Sequence, residues 1–591
     1  MVNTLSKNHS GNLVEKAKIL ISDRMAVLVE SLSGTTADPC KFKLEQPADA
    51  AVGHIAFACF PLAKTLKKSP QIIATELANT YGSCDCFAKV EASGPYVNFF
   101  IAPELMAKHI FAASKLESFG FSDQGKGKKI LLEYSSPNTN KPLHLGHGRN
   151  NLLGMALANL FASQGYSVTK VNLVNDRGIH ICKSMLAYQK WGDGATPISE
   201  GIKGDKLVGN FYVRYDQELK KDESLEEQAR ELLKKWEASD PETLKLWEEM
   251  NSWVYEGFKK TYARMGAGFD QYYYESKTFI GGKELVLKAF DDGLAQKEEN
   301  GAISIDLEAE KLGKKILLRG DGTSMYITQD INTTVTKFAD HAPLDSCLFV
   351  VGNEQDNHFR VLFKTLEKFG YDWAKQCEHI SYGMITLPEG KMKSREGTVV
   401  DLDELMEELK NLSLEEINKR ANFSKDQTKL KEETAEAIGQ AALKFFILRS
   451  GAQKEIQFNP KESLSFEGQT GPYLQYVYAR INSLLGKVED QTLLNETIKK
   501  FPTIHPVESQ LLLHLARLND ALSAATKERN PAIVCGWAYD LCKVFNKFYN
   551  ELHVLNAEAP ELQFRIQLTL AVQKGLGKAL DIIGITAINK M

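Results

Sequence analysis

Apolar residues recur along the chain in two rhythms, and the change from one to the other divides it. Over Leu13–Ser31 they alternate with Lys16, Lys18 and Arg24 at helical spacing, which predicts an amphipathic helix. Gly53–Leu66 and Ile72–Tyr81 also read as helices and Tyr96–Ile101 as a short strand, so residues 1–120 predict a small α+β domain. The polar, Gly- and Lys-rich stretch Asp123–Lys129 reads as a linker. From Ile130 the rhythm becomes strand–helix: strand Ile130–Tyr134, helix Gly146–Gln164, strand Ser167–Leu173, strand Ser346–Val351, helix Phe359–Lys368. That alternation predicts an α/β domain over 121–405, built on a doubly wound parallel sheet. Between about 187 and 279 the chain turns charged and helical, as in Ser224–Ala238 and Glu242–Met265, and reads as an insertion. A connecting segment at 406–432 leads to 433–591, which is helical throughout; Leu511, Leu512, Leu515, Leu518 and Leu522 share one helical face.

Composition narrows the class. With 591 residues, 43% apolar and 25% charged, the chain is an ordinary globular protein of several domains. No apolar run approaches the ~18 residues of a membrane span, and the polar start Met1–Asn12 lacks a signal-peptide core. The expectation is a cytoplasmic protein without membrane attachment. Nine cysteines are scattered, and the close pair Cys84 and Cys86 has no second pair or nearby histidine to complete a zinc site. No protein-bound zinc or other metal is therefore expected. The net charge of −4 offers no broad attraction for nucleic acid, so composition alone does not suggest RNA.

Candidate chemistry enters after the first strand of the α/β domain. Glu133-Tyr-Ser-Ser136-Pro-Asn138-Thr-Asn-Lys141-Pro-Leu-His144-Leu-Gly146-His147 runs from a strand through a Pro-punctuated loop to a helix start. Unpaired N–H groups and the positive end of the helix dipole there suit a polyphosphate. His144 and His147 can donate to phosphate oxygens, and Gly146 lets a nucleotide approach bare backbone. Far downstream, Gly390-Lys391-Met392-Lys393-Ser394-Arg395-Glu396-Gly397 is a basic loop suited to gripping a leaving pyrophosphate. Read alone, each segment is better explained as a solvated helix start or a surface loop; both in order within one α/β domain reverse that and point to nucleotide chemistry.

These two segments resemble the His-Ile-Gly-His and Lys-Met-Ser-Lys-Ser signatures of class I aminoacyl-tRNA synthetases. The fuller string from Glu133 to His147 is similar to the arginyl-tRNA synthetase family in particular. Three further stretches agree: Ser324-Met-Tyr326-Ile-Thr-Gln-Asp330, Val350-Val-Gly-Asn-Glu-Gln355-Asp-Asn-His358, and Phe466-Glu-Gly-Gln-Thr-Gly-Pro-Tyr473-Leu-Gln-Tyr476-Val-Tyr-Ala-Arg480.

The resemblance implies a Rossmann-type catalytic domain, an N-terminal domain touching the outer corner of tRNA, and a C-terminal anticodon-binding bundle. It implies ATP with Mg²⁺, L-arginine and tRNA as substrates, and a monomer. His144, Gly146, His147, Lys391, Met392 and Ser394 would hold ATP. Tyr326 and Asp330 would take the guanidinium, and Ser136, Asn138, His147 and Gln355 the α-amino and carboxylate end, with Glu133 adding negative charge. A planar guanidinium needs carboxylate acceptors in fork geometry, which a compact ammonium cannot fill. Without the resemblance, Asp330 reads as a helix-capping carboxylate and Tyr326 as a core aromatic. Tyr473, Tyr476, Arg480 and Trp537, with Tyr478 and Tyr539, offer planar groups for anticodon bases, and packing inside the bundle is the alternative for each.

One departure stands out. Where the signature places its second lysine, this chain has Ser394, and a hydroxyl cannot supply that charge. Lys141, three residues before His144, is the expected substitute. Two rivals remain: a nucleotidyltransferase sharing His-x-Gly-His, and a non-catalytic RNA-binding relative. The long helical C-terminal half argues against the first, and intact motifs against the second.

Overall fold

A computed structural model describes residues 12–47, 49–388, 400–420 and 427–590. Helix α1 (Leu13–Ser33) starts at Asn12, whose side chain accepts from the amides of Val14 and Glu15, and ends at Gly34 in the left-handed conformation. Strands β1 (Leu44–Glu45), β2 (Ile55–Ala58), β3 (Phe87–Ser93) and β4 (Tyr96–Ile101) form an antiparallel sheet in the order β1-β2-β4-β3. Helix α2 (Pro70–Tyr81) packs on β3 and β4, α1 packs on α2, and α3 (Pro103–Ala113) follows β4. The reading of Gly53–Leu66 as one helix is corrected: Ile55–Ala58 is strand, and only the end is helical, a 3-10 turn at Phe60–Leu62 and a short helix at Ala63–Leu66. Ile55, Ala56 and Phe57 are all buried, so pairing on both edges outweighs a spacing that fits either period.

The α/β domain follows: β5 (Lys129–Glu133), α4 (Leu145–Ser163), β6 (Ser167–Val174), α5 (Ile179–Trp191), α6 (Gly204–Leu219), α7 (Ser224–Glu237), α8 (Pro241–Met265), β7 (Gln271–Tyr274), α9 (Gly281–Asp291), β8 (Gln296–Lys297), β9 (Ile303–Leu307), β10 (Gly313–Leu318), α10 (Tyr326–His341), β11 (Ser346–Gly352), α11 (Asp356–Lys368), β12 (Cys377–Tyr382) and β13 (Ile385–Thr386). The main sheet has the order β12-β11-β5-β6-β7 and every pairing is parallel. Ile130–Leu132 and Cys347–Val350 are buried, as strands covered on both faces must be. Strand order reverses between β5 and β11, and a crevice at the carboxyl ends of strands at such a switch is where open α/β sheets bind ligands.

The expected insertion at 187–279 is corrected at both ends. Residues 187–191 complete α5, and Gln271–Tyr274 is the edge strand of the parallel sheet. A four-residue strand rich in tyrosine, after a long charged helix, is too short to register as a strand. An antiparallel sheet, β10-β9-β8, also went unread.

The remaining chain is α12 (Leu402–Arg420), α13 (Thr428–Leu448), β14 (Ile456–Gln457), α14 (Gly471–Leu485), α15 (Pro506–Ala516), α16 (Leu518–Lys527), α17 (Ala532–Glu551) and α18 (Glu561–Ile582). Helix α12 runs through much of the segment expected to connect, and β14 pairs in parallel with β13, so the region is not wholly helical. The leucine face of 508–523 is split between two helices that meet at Arg517, whose guanidinium reaches the His54 carbonyl at 2.9 Å. Among the described residues no helix is long and apolar enough to cross a membrane.

Candidate active site

The site begins with backbone strain. Ser135 and Ser136, just past β5, both have positive φ, 83° and 46°, a costly conformation for non-glycine residues. Side chains hold them there. Asn150 Oδ1 accepts from Ser135 N at 2.5 Å and Asn172 Oδ1 from Ser136 N at 3.1 Å, while Ser135 Oγ meets the Tyr262 hydroxyl at 2.6 Å. Asn138 pairs along the backbone with Asn175, so the loop is stitched to the end of β6.

The two motif histidines then cap α4 reciprocally. His144 Nδ1 accepts from Gly146 N at 3.1 Å, and His147 Nδ1 accepts from His144 N at 3.2 Å. Both Nδ1 atoms being acceptors, the proton of each neutral ring sits on Nε2 and remains available to donate. The rings lie 3.9 Å apart between centroids. Burial, then the charge of Lys141, lowers His144 to about 4. His147 is pushed well below its ordinary value by burial, His144 and Lys141. A Cβ on Gly146 would come within 2.9 Å of the His144 ring, so glycine is required for the cap itself.

Two anchors fix this turn in place. Leu145 N donates to Val400 O at 3.1 Å and Leu402 N to Leu143 O at 2.9 Å, joining the motif to the chain just downstream of the basic loop. Arg149, fully buried two residues after His147, donates to the carbonyls of Met384 (2.9 Å), Ala452 (2.7 Å) and Lys454 (2.6 Å). It pins α4 to the chain at Met384 and to the turn at Ala452 and Lys454 after α13. Lys391, Met392 and Ser394 lie outside the described residues. Lys141 is half-buried, with no carboxylate partner among the described residues, and burial lowers its pKa.

Tyr326 and Asp330 open α10 on one face. Tyr326 is 79% exposed, and so is no core aromatic. The Asp330 carboxylate meets His358 Nε2 at 2.7 Å. Gln355 and Asn138 are exposed and Ser136 half-buried. Glu133 corrects an expectation: it is buried in an ion pair with buried Lys337, so its charge is already matched. Another carboxylate close enough to feel Asp330 is Glu275, just past β7, which sequence reasoning missed. Burial and the charges of Asp330 and Asp176 raise it, and Arg177 opposes them, leaving it at about 7. Nothing short of the β7 assignment signals it. Asp176 is structural: it is buried and accepts from Ser276 N and Oγ and from the Tyr255 hydroxyl, tying β6 to β7.

In the helical region, Thr470 caps α14 and Pro472 opens it. Tyr476 is 38% exposed, and Arg480 lies over the rings of Tyr476 (4.7 Å) and Tyr549 (5.2 Å). This group borders a cavity of about 360 Å³ lined by Arg480, Lys487, Tyr549, His553 and Asn556. Tyr549 was not anticipated. Tyr473 is half-buried and accepts from Asn546 at 2.9 Å. Trp537 is a correction: it is buried, stacked on His514 at 5.0 Å, and donates to the His514 carbonyl at 3.2 Å. A ring so packed offers no face to a base.

A doubly wound parallel sheet with a His-x-Gly-His cap at its switch point, followed by a helical bundle, is the arrangement of a class I aminoacyl-tRNA synthetase. Residues 113–459 match the family of tRNA synthetases class I (R), catalytic domain; 18–101 match the arginyl tRNA synthetase N-terminal domain, and 474–591 the DALR anticodon binding domain. An arginine–tRNA ligase of Bacteroides thetaiotaomicron is 42% identical over 97% of this chain and 100% of its own. That of Treponema pallidum subsp. pallidum is 41% identical over 96% and 98%. The arginyl-tRNA synthetase structure of Thermus thermophilus shares the fold at a TM-score of 0.77, with 24% identity over 97% of this chain and 100% of that one. The chain belongs to the arginyl-tRNA synthetase family.

Proposed function

We propose that the crevice at the carboxyl ends of β5, β6, β7 and β11 is where this chain joins arginine to tRNA with ATP, the reaction of its family. The observation that carries this is the reciprocal cap, which fixes two neutral imidazoles with Nε2–H donors at a helix N-terminus beside a half-buried lysine. His144, His147 and Lys141 face the phosphates in this reading. Mg²⁺ arrives with ATP, carried on its phosphates. Ser136, Asn138, His147 and Gln355 take the α-amino and carboxylate end of arginine. Tyr326, Asp330 and Glu275 take the guanidinium. Two carboxylates near one another in a partly buried pocket repel when empty, and a planar cation between them relieves both.

The arginine carboxylate attacks the α-phosphorus and pyrophosphate leaves with Mg²⁺; a terminal-adenosine hydroxyl of tRNA then attacks the arginyl carbonyl and releases AMP. Positioning and charge stabilisation supply most of the catalysis. Lys391, Met392 and Ser394 keep the ATP role that the resemblance gives them. Tyr476, Arg480 and Tyr549 form the platform for anticodon bases, with Tyr473 behind it. The same reading takes the chain as a cytoplasmic monomer, which sedimentation of the purified protein tests for assembly state.

The deciding assay is ATP–pyrophosphate exchange with arginine present or absent and tRNA present or absent. Exchange that needs both arginine and tRNA is expected. Exchange without arginine would point to nucleotidyl transfer, and none under any condition to a non-catalytic relative.

A further inference from the structure

Three residues from separate segments form a relay beside the arginine pocket. Arg177, three residues past β6, is nearly buried, with its guanidinium 3.9 Å from the Phe279 ring centroid and 5.4 Å from that of Trp236. Its Nη2 donates to Glu237 at 3.0 Å. Gln329 lies on the first turn of α10 between Tyr326 and Asp330. With its amide turned so that both ends are satisfied, Gln329 accepts from Arg177 Nη1 at 3.0 Å and donates to Glu275 Oε1 at 2.5 Å.

We propose that Arg177 and Gln329 are specificity-determining positioning residues: through the Gln329 amide, Arg177 holds one oxygen of Glu275, leaving the other for the substrate guanidinium beside Asp330. This rests on the reading of Glu275 and Asp330 as guanidinium partners. The physical logic lies in the spacer. An arginine pocket must keep carboxylates ionised while empty, yet burial and neighbouring carboxylates oppose that. An arginine bonded directly to Glu275 would supply the charge but engage both oxygens in a fork, filling the pocket with a resident guanidinium. A neutral amide between them passes on an oriented hydrogen bond and lets the cation act from behind, while the rings of Phe279 and Trp236 against its guanidinium, and its ion pair with Glu237, hold Arg177 back. The charged groups facing Glu275 are Arg177 after β6, Asp176 at the end of β6, and Asp330 on α10, itself paired with His358 of α11. Of these only Arg177 is a fixed cation.

The test is the KM for arginine in tRNA-supported exchange across about pH 6 to 9, with the KM for ATP measured alongside. In the unaltered protein the arginine KM should rise as pH falls through about 7, where Glu275 takes up a proton. Arg177→Gln should move that rise upward by at least about half a pH unit, so that the arginine KM is several-fold higher near neutrality and close to normal at the alkaline end, with ATP unaffected. Arg177→Lys, which keeps the charge, should keep the midpoint. Gln329→Leu should raise the arginine KM several-fold even at the alkaline end, because the oxygen is no longer held. An arginine KM raised equally at every pH by Arg177→Gln, together with that for ATP, would mark a packing role and overturn the proposal. So would an unchanged arginine KM in Gln329→Leu, which stays informative if Arg177→Gln does not fold. Glu275→Gln separates the two layers. If it leaves the arginine KM unchanged, the pocket reading itself fails. If it raises that KM about ten-fold while the Arg177 and Gln329 variants move nothing, only the relay fails.

Discussion

The imidazole of His358 stands 2.7 Å from the carboxylate of Asp330, joining the first turn of α11 to the second turn of α10. One oxygen of Asp330 is thereby engaged and the carboxylate oriented before any substrate arrives, which is how a short side chain at a helix start gains a fixed direction. Asp330→Ala should raise the KM for arginine ten-fold or more, since a charge-assisted bond contributes about 1.5–3 kcal/mol, and leave that for ATP nearly unchanged. His358→Ala should raise it less, by roughly 1 kcal/mol or about five-fold, through lost orientation alone. Exchange kinetics at varied arginine and varied ATP read both. A variant that moved only the ATP value would place Asp330 outside the pocket.

Glu133 and Lys337 make a different kind of contact, an ion pair buried between β5 and α10. Removing one partner strands the other's charge, which costs about 3–5 kcal/mol, whereas replacing both by apolar residues is often neutral. Lys337→Met should therefore lower stability by that amount in denaturant titration, and Glu133→Leu with Lys337→Met should recover most of it. An undestabilised Lys337→Met would show that the pair is not closed to water.

The two aromatic groups of the helical region should separate cleanly in their effects. Tyr476→Ala removes an exposed ring backed by Arg480, and stacking on one base is worth about 1–3 kcal/mol. The KM for tRNA should rise five-fold or more with arginine and ATP values unchanged. Trp537→Ala should instead lose about 3–5 kcal/mol of stability, as buried aromatics do, without weakening tRNA binding by the folded fraction. Filter binding and thermal unfolding distinguish them. Weaker tRNA binding by folded Trp537→Ala would return that ring to the platform.

What the sequence made legible, and what it hid, follows from how each feature is encoded. Strands β5 and β11 are continuous buried runs, so their residues announce them. The His-x-Gly-His cap is local, every partner lying within three residues of His144. Glu275, Arg177 and Gln329 meet only because β6, β7 and α10 converge, and no spacing along the chain carries that information. Glu133 and Trp537 failed for the opposite reason. Their residue types suit a pocket and a stacking platform, but each has a partner inside the protein, Lys337 and His514, that only the fold supplies.

Lys141 gives the most direct test of the altered signature. Ser394 occupies the position of the second signature lysine, and the reading above gives its charge to Lys141. Around that side chain the structure places His144 and His147, both lowered by burial and by Lys141 itself, and His180, lowered by burial, Lys183 and Lys141 against Asp216 and Glu226, with no carboxylate partner of Lys141 among the described residues. A half-buried amine with no carboxylate partner among the described residues, beside the proposed phosphate site, is poised to gain most when negative charge develops in front of it. Lys141→Ala should slow exchange by roughly 10²–10³-fold while arginine and tRNA affinities change little. The pH dependence supplies a second, independent reading. Burial lowers the pKa of Lys141, so its charge is complete at low pH and is lost as pH rises through a value below the ordinary lysine range. The kcat/KM for ATP, which reports the free enzyme, should accordingly fall on an alkaline limb earlier than an ordinary lysine would give. Lys141→Arg, charged at every accessible pH, should move that limb upward even where its rate is lower. Near-normal exchange in Lys141→Ala would rule the substitution out, and a loss confined to tRNA affinity would make Lys141 a tRNA contact instead.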